Sequence, residues 1–244
     1  MDKTIIYLTD NTLDATIADF CRRKLVETAG DIPIVSVSQK PIQLGTNICL
    51  GEIGRSWLSL YKQQLAGLKE AKTKYVSIVE HDCLYTKEHF DWMPPNDDTF
   101  YYNENVWFMQ WGGNHPELNG MFSCFWTKRF ALSQLVCNRE LHIKAIEERL
   151  YLFEQGAKGI TNAGEPGVCK DLTLAYNLAK SGRHAHLSGF MEKHLTQCNA
   201  EIFRTVNPNI DIRHGTNFTG PKRGKRRCYS LPYWGKFENI IKEK

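Results

Sequence analysis

The chain has 244 residues, 42% of them hydrophobic, and a formal net charge of +4. This is enough for one sizeable core, or for one core with a small appendage, and it predicts a globular protein. No stretch approaches the roughly 18 apolar residues that span a membrane, and the amino terminus lacks a signal-peptide pattern. We therefore expect no transmembrane segment and a cytoplasmic location. The eight cysteines form no C-x-x-C pair, which excludes a zinc ribbon or redox motif of that kind.

The first eighty residues alternate strands and helices. The apolar run 4–9 predicts a buried strand that stops at Asp10. The next predicted elements are a helix capped by Thr12 and ended by Gly30, a strand over 32–37, a helix over 57–72 and a strand over 75–79. Strands separated by helices predict the α/β class with a doubly wound, mainly parallel sheet.

Beyond Asp82 the pattern changes to short, aromatic-rich runs separated by turn signals. The predicted elements are strands over 99–102, 106–109 and 121–126, a long helix over 139–155 and a further helix over 171–180. We expect the short strands to be antiparallel additions to the parallel sheet.

The strand over 75–79 ends in three consecutive polar residues, Glu80, His81 and Asp82. They cannot all be buried without partners, and the carboxyl ends of strands border the crevice where α/β sheets bind ligands. The segment therefore predicts a ligand site, with a solvated acidic loop as the alternative. Because side chains alternate along a strand, we expect His81 to face away from Glu80 and Asp82 and to be structural.

The positive charge is concentrated near the carboxyl terminus. Residues 201–244 contain ten Lys or Arg and four Asp or Glu, a net +6, whereas residues 1–200 carry −2. Five of these basic residues lie within 222–227, KRGKRR. Such a run can bind the phosphates of a nucleotide or of nucleic acid, and a solvated tail is the alternative.

Three segments together resemble nucleotide-sugar glycosyltransferases of the GT-A fold. Residues 80–82, EHD, are similar to the D-x-D motif that ends a strand in that family. Residues 170–182, KDLTLAYNLAKSG, are similar to its E-D-x-x-L-x-x-R-L-x-x-x-G motif, with Lys and Asn in place of the first Glu and the Arg. Residues 119–132, NGMFSCFWTKRFAL, resemble its glycine, aromatic and basic segment. The resemblance covers roughly residues 3–195 and implies a GT-A-like α/β fold.

The resemblance also implies a division of the chain. We expect a glycosyltransferase domain over 1–200, with a nucleotide-sugar half over 1–85 and an acceptor half over 86–200. A basic extension over 201–244 would close on the active site. In that extension Lys222 and Arg223 are expected to bind the donor diphosphate.

The donor implied by the resemblance is a nucleotide sugar, best matched by a UDP-sugar, bound with Mn²⁺ or Mg²⁺. Asp82 and the late His214 are the expected metal ligands, and Glu80 acts directly or through water. Asp10 and Arg55 match positions that hold the base, ribose or diphosphate, and a surface role for Arg55 is the alternative.

Two carboxylates are candidates for the catalytic base. Asp171 opens the helix of the second motif, and the alternative is that it only interacts with the helix dipole. Glu165 is the second candidate because Pro166 and Gly167 would hold it in a loop beside the cleft.

The acceptor remains open between hypotheses. Residues 214–220, 222–227 and 231–235 resemble small phage-encoded transferases, which favours a hydroxymethylated pyrimidine in DNA and, for a viral protein, the host cytoplasm. Such an enzyme would bind DNA through the basic run and act on a flipped base. The alternatives are a saccharide or lipid-linked glycan acceptor, and a nucleic-acid-binding module without catalysis.

Overall fold

The computed structural model of the chain describes residues 2–111, 119–124, 130–154, 165–168, 199–217 and 226–242. Within these ranges the strands form a seven-stranded sheet, a five-stranded sheet and a two-stranded hairpin. None of the described helices is long and apolar enough to cross a membrane.

The seven-stranded sheet confirms the predicted fold class. Its strands lie side by side in the order β10 (Ala200–Phe203), β6 (Phe100–Asn103), β9 (Leu135–Asn138), β4 (Tyr75–Glu80), β1 (Lys3–Leu8), β2 (Ile34–Ser38) and β3 (Thr46–Cys49). From β4 to β3 all neighbours are parallel, whereas β9 is antiparallel to both β4 and β6. The chain is therefore α/β, with a mainly parallel sheet that antiparallel pairing extends.

The five-stranded sheet is mixed. Its order is β12 (Arg226–Cys228), β8 (Phe122–Cys124), β7 (Val106–Gln110), β11 (Asn209–Arg213) and β5 (Cys83–Leu84). Strand β11 is parallel to β7, and the other pairs are antiparallel. The hairpin consists of β13 (Ser230–Leu231) and β14 (Gly235–Lys236). The last part of the chain thus contributes strands to both sheets, while the predicted domain boundaries stay a prediction.

The described helices pack against both sheets. They are α1 (Ala15–Ala29), α2 (Trp57–Glu70), α3 (Lys87–Asp91), α4 (Arg139–Glu154) and α5 (Phe237–Lys242). Along β1, Ile6 and Leu8 pack in one hydrophobic cluster with residues of α2 and α4, whereas Ile5 and Tyr7 pack in another with residues of α1. This alternation buries both faces of β1 and explains its uninterrupted apolar sequence.

The structure corrects some predicted elements. The side chain of Asp14, not Thr12, caps α1 by accepting from the backbone N–H of Thr16 at 2.9 Å. Thr12 instead donates its hydroxyl to Asp10 at 2.7 Å. Strands β3 and β9 were not predicted, because each is short and β3 is only partly buried. The predicted helix over 171–180 lies outside the described residues.

Candidate active site

A pocket opens at the carboxyl ends of β1 and β4. It is bordered by the start of α2, by residues 131–133 and by the end of β11. All five of the following predicted site residues line it: Asp10, Arg55, Glu80, Asp82 and Glu165. The fold therefore brings together side chains that lie up to 155 positions apart in the sequence.

The chain crosses from one sheet to the other at this pocket. Strand β4 ends at Glu80 in the seven-stranded sheet, and β5 begins at Cys83 in the five-stranded sheet. The intervening residues His81 and Asp82 form a turn, and the backbone carbonyl of Asp82 accepts from Ile212 N–H at 2.7 Å. Strand alternation does not continue through a turn. The expectation that His81 faces away from its neighbours was therefore wrong, and His81 lines the same pocket as Glu80 and Asp82.

Asp82 is joined to a loop that follows β11. Its Oδ2 lies 3.3 Å from His214 Nε2 and accepts from Asn217 Nδ2 at 2.8 Å. Asn217 Oδ1 in turn accepts from the backbone N–H of His214 at 2.7 Å. Strand β11 pairs antiparallel with β5, and the pairing extends to the bond between Ile212 and Asp82, so the chain beyond Ile212 runs alongside the turn at His81 and Asp82. This pairing places His214 next to Asp82.

His81 is held from the side of β1. Its Nδ1 lies 2.8 Å from Thr9 Oγ1 and 3.7 Å from Asp10 Oδ1. Only 9% of His81 is exposed, as is 9% of Asp82. The adjacent ends of the parallel strands β1 and β4 therefore supply a connected set of polar groups.

Asp10 and Arg55 form an ion pair beside this set of polar groups. Arg55 Nε lies 2.7 Å from Asp10 Oδ2, and an Nη nitrogen of Arg55 donates to the backbone carbonyl of Thr216. Arg55 thus links the end of β1 to the loop that carries His214. The Arg55 side chain is 33% exposed and lines the pocket.

The charges of these groups follow from their surroundings. Burial acts to raise the pKa of Asp82, but the hydrogen bond with His214 and the nearby His81 and Arg213 lower it to about 2. Burial likewise opposes the ionised form of Asp10, yet its hydrogen bonds from Thr12 and the neighbouring His81 and Arg55 lower the pKa overall. Both carboxylates are therefore ionised at neutral pH.

For His81, burial has the largest effect on the pKa. Burial lowers its pKa and outweighs the carboxylates of Asp82 and Asp10, which act to raise it. The imidazole is therefore neutral at pH 7, which is the form that binds metal ions.

Glu165 reaches the pocket from a tight turn. The backbone N–H of Val168 donates to the carbonyl of Glu165 at 2.9 Å, and the hydroxyl of Tyr102 donates to the carbonyl of Pro166 at 2.5 Å. Gly167 has a φ of +78°, and a Cβ on it would lie 2.6 Å from a ring carbon of Phe100. The turn is therefore seated against the seven-stranded sheet, where only glycine fits.

Sequence reasoning missed several polar residues of the pocket, among them three on or just after β11. Arg213 Nη1 donates to Asp211 Oδ1 at 3.1 Å, and both side chains are buried and line the pocket. Asn217, described above, also lines it. The only local signals for these residues are the alternation of Asp211 and Arg213 along β11 and the glycine-containing loop that carries Asn217. Asp171, Lys222 and Arg223 lie outside the described residues.

Three side chains offer a fit for a metal ion. Ligand atoms of His81, Asp82 and His214 all lie within 4.8 Å of one another. Within the described ranges this is the one such group of His, Cys, Asp or Glu, and two of its members, His81 and Asp82, line the pocket. Two imidazoles and one ionised carboxylate are suitable donors for a divalent ion.

Comparisons with known proteins place the fold among solved structures at low identity. No protein-family model and no curated protein matches the chain. The bifunctional IspDF from Campylobacter jejuni is 10% identical, with a TM-score of 0.41, over 84% of this chain and 49% of its own. S. aureus TarS 1–349 in complex with UDP-GlcNAc is 12% identical, with a TM-score of 0.40, over 91% of this chain and 60% of its own.

A third solved structure is matched over most of its own chain. A glycosyltransferase involved in the glycosylation of the major capsid of PBCV-1 is 8% identical, with a TM-score of 0.42, over 89% of this chain and 94% of its own. The chain spans about half of IspDF and three fifths of TarS 1–349.

Proposed function

We propose that the protein is a metal-dependent glycosyltransferase that moves a sugar from a nucleoside-diphosphate sugar, best matched by a UDP-sugar, to a hydroxyl acceptor. One observation carries the proposal: Asp10, Arg55, Asp82 and Glu165 line one pocket at the carboxyl ends of parallel strands, with His214 against Asp82. The site combines a metal-binding group, a cation for phosphate and a carboxylate for proton transfer. These are the three functions that the reaction needs.

The donor is held by two neighbouring groups of residues in the pocket. Arg55 exchanges its contact with Asp10 for the diphosphate, and Asp10 then binds the ribose or base. Asp82 and His214 hold Mn²⁺ or Mg²⁺, while Glu80 acts directly or through water. Lys222 and Arg223 of the basic run are further diphosphate ligands in this proposal. The bound ion would stabilise the negative charge of the departing diphosphate.

The chemical step transfers the sugar to the acceptor oxygen. A carboxylate, Asp171 or Glu165, accepts the proton of the acceptor hydroxyl. The oxygen forms a bond to the anomeric carbon of the sugar, and the bond from that carbon to the diphosphate breaks. UDP leaves with the electron pair. Glu165 is supported as the base by its position on the pocket wall.

For the acceptor we favour a hydroxymethylated pyrimidine in DNA, in a cytoplasmic protein. Arg226 and Arg227 lie exposed on β12. Two exposed aromatic side chains follow on the same segment, Tyr229 and Tyr233. Guanidinium groups can bind phosphates, and exposed aromatic rings can stack on bases. A saccharide or lipid-linked glycan is the alternative acceptor, and a nucleic-acid-binding module without catalysis is the alternative function.

A panel of donors and acceptors tests the proposal. Purified protein with Mn²⁺ would be incubated with each of several UDP-sugars and with hydroxymethylated duplex DNA, plain duplex DNA or glycans. Mass spectrometry would then detect the transferred sugar. We expect a mass increase of one or more sugar units on the hydroxymethylated duplex alone. Transfer to glycans only would overturn the DNA acceptor, and no consumption of any donor would favour the non-catalytic alternative.

DNA binding itself can be tested through its salt dependence. We expect replacement of Lys222, Arg223, Lys225, Arg226 and Arg227 by Ser to weaken binding of a labelled duplex. The slope of log affinity against log salt should fall by roughly 0.9 for each lost phosphate contact. Fluorescence anisotropy over a salt series would measure it.

A variant with the same change in charge serves as the control. It replaces five exposed lysines elsewhere by Ser, namely Lys40, Lys62, Lys69, Lys72 and Lys87. Equal weakening of DNA binding in both variants would contradict a specific role for the basic run. Loss of UDP-sugar binding in the first variant would instead indicate that the run closes over the donor.

A further inference from the structure

The three possible metal ligands are each held in place from outside the group. His81 Nδ1 contacts the hydroxyl of Thr9 at 2.8 Å, and His214 Nδ1 contacts the hydroxyl of Thr216 at 3.0 Å. The Thr216 hydroxyl lies 3.3 Å from the backbone carbonyl of Thr12, to which it can donate. In both histidines the outer ring nitrogen is therefore engaged by threonine. Metal-binding histidines are oriented by such a contact to the nitrogen that does not bind the ion.

One atom of Asp82 and one atom of His214 contact the same amide nitrogen of Asn217. Asn217 Nδ2 lies 2.8 Å from Asp82 Oδ2 and 3.0 Å from His214 Nε2. An amide NH₂ group carries partial positive charge and only donates hydrogen bonds. Asp82 Oδ2 and His214 Nε2 therefore face the same point, as they would face a bound cation. The edge-on arrangement of the His81 and His214 rings, with centroids 6.2 Å apart, lets both rings contribute to this group.

Glu80 is not one of the three grouped candidate metal ligands, His81, Asp82 and His214. It belongs to β4 and lines the pocket, but the group of ligand atoms within 4.8 Å contains His81 in its place. The turn that follows β4 accounts for this, because it rotates His81 toward Asp82 instead of continuing the alternation of the strand.

We propose that His81 is the third protein ligand of the metal ion, so that two imidazoles and one carboxylate bind a divalent transition-metal ion in preference to Mg²⁺. The reason is the chemistry of the donors. Mg²⁺ binds oxygen ligands almost exclusively, whereas Mn²⁺, Co²⁺ and other first-row transition ions accept imidazole nitrogen. Three ligands on one side leave the remaining positions for oxygens of the diphosphate.

This inference deepens the proposed function, because it names the ion that the transferase would use. It is tested without nucleotide or sugar, so that its failure is distinct from failure of the transferase proposal. The full chain would be freed of metal with a chelator and then titrated with Mn²⁺, Co²⁺ or Mg²⁺ by calorimetry. We expect one Mn²⁺ or Co²⁺ per chain, and Mg²⁺ affinity at least about 100-fold weaker.

Variants of the adjacent residues His81 and Glu80 test which of the two side chains binds the metal ion. His81→Gln should weaken Mn²⁺ binding by at least about 10-fold, and by more than Glu80→Gln, whose carboxylate would act on the ion through water. Circular dichroism of both variants checks that they fold. The reverse order, with Glu80→Gln losing Mn²⁺ and His81→Gln retaining it, would overturn the proposal.

The number of histidine ligands can also be measured in the wild-type protein. Pulsed electron paramagnetic resonance of the Mn²⁺-loaded chain detects nitrogen nuclei bound to the ion. We expect coupling to two histidine nitrogens. Coupling to only one, to none, or an equal affinity for Mn²⁺ and Mg²⁺ would show that His81 does not bind the ion.

Discussion

Asp82 connects the parts of the candidate site. Its backbone carbonyl is bonded to β11, and its carboxylate contacts both His214 and Asn217. Burial opposes its ionisation, but His214, His81 and Arg213 lower its pKa, so the group remains a carboxylate at neutral pH. A buried, ionised carboxylate beside two imidazole rings is a suitable ligand for a divalent cation.

The identity of the catalytic base can be tested with single-residue variants. Asp171→Asn and Glu165→Gln each preserve size and hydrogen bonding but remove the ability to accept a proton. The variant of the true base should lower kcat by on the order of 100-fold or more, with UDP affinity close to wild type. Steady-state rates of sugar transfer and UDP titrations would measure both quantities. Full activity in both variants would contradict a carboxylate base at either position.

The sequence predicts that a residue belongs to the site only where that residue comes directly after a predicted strand. Asp10 and Asp82 come directly after buried runs, so their place at the edge of the sheet follows from sequence. Asn217 and Arg213 could not be identified, because they reach the pocket only through pairing of β11 with β5. That pairing joins residues about 130 positions apart, which local patterns do not reveal. The turn at His81 depends on the same pairing.

At the scale of elements, α2 positions the rim of the pocket by close packing against the sheet. Its amino-terminal end carries Ser56, whose hydroxyl accepts from the Ser59 N–H at 3.1 Å and caps the helix. Farther along, Gln63 donates to the carbonyl of Thr9 at 2.7 Å. Gly67 faces the sheet, and a Cβ on it would lie 2.6 Å from Ile6 Cγ2 and 3.0 Å from Val37 Cγ2. The helix can therefore approach β1 and β2 only because residue 67 has no side chain.

Gly67→Ala should consequently destabilise the protein. Alanine favours the helix by about 1 kcal/mol, but the forced shift of a packed helix costs about 1–3 kcal/mol, so we expect a net loss of stability. Chemical denaturation would measure the free energy of unfolding. In an Ile6→Ala background the same substitution should be less harmful, since the contacted methyl group is gone. A stabilising effect of Gly67→Ala in the wild-type background would contradict the packing described for α2.

At the scale of the whole molecule, buried histidines link stability to pH. His142 in α4 and His89 in α3 are fully buried, and burial lowers the pKa of each to about 3. In the unfolded chain a histidine has a pKa of about 6.5. Between pH 6.5 and 3 the unfolded state therefore binds more protons than the folded state. The stabilisation is complete above pH 6.5 and is lost as the pH falls through this window.

His142→Gln tests this linkage. His142 Nε2 lies 3.0 Å from Gln64 Oε1, and a glutamine amide can replace that contact without titrating. The free energy of unfolding of the wild type should fall with pH more steeply than that of the variant, by up to about 1.4 kcal/mol per pH unit within the window. Urea unfolding at several pH values between 7 and 4.5 would show it. Parallel curves for the two proteins would refute the buried-histidine account.

The fold as a whole was more predictable than its details. Strands β1, β2 and β4 are buried on both faces and read as apolar runs, and α1 and α2 have helical spacing of apolar residues, so the parallel sheet followed from the sequence. The division into two sheets did not. It depends on where β4 gives way to β5, and a two-residue strand leaves almost no periodic signal.

The central claim is that this pocket binds a nucleoside diphosphate through a metal ion. Titration calorimetry of UDP with and without Mn²⁺ tests it most directly, using the wild type, Asp82→Ala and, as a control, the exposed Asp31→Ala. We predict that Mn²⁺ strengthens UDP binding to the wild type and to Asp31→Ala, and that Asp82→Ala loses this dependence. Absence of UDP binding to the wild type with Mn²⁺, or unchanged metal-dependent binding in Asp82→Ala, would contradict the claim.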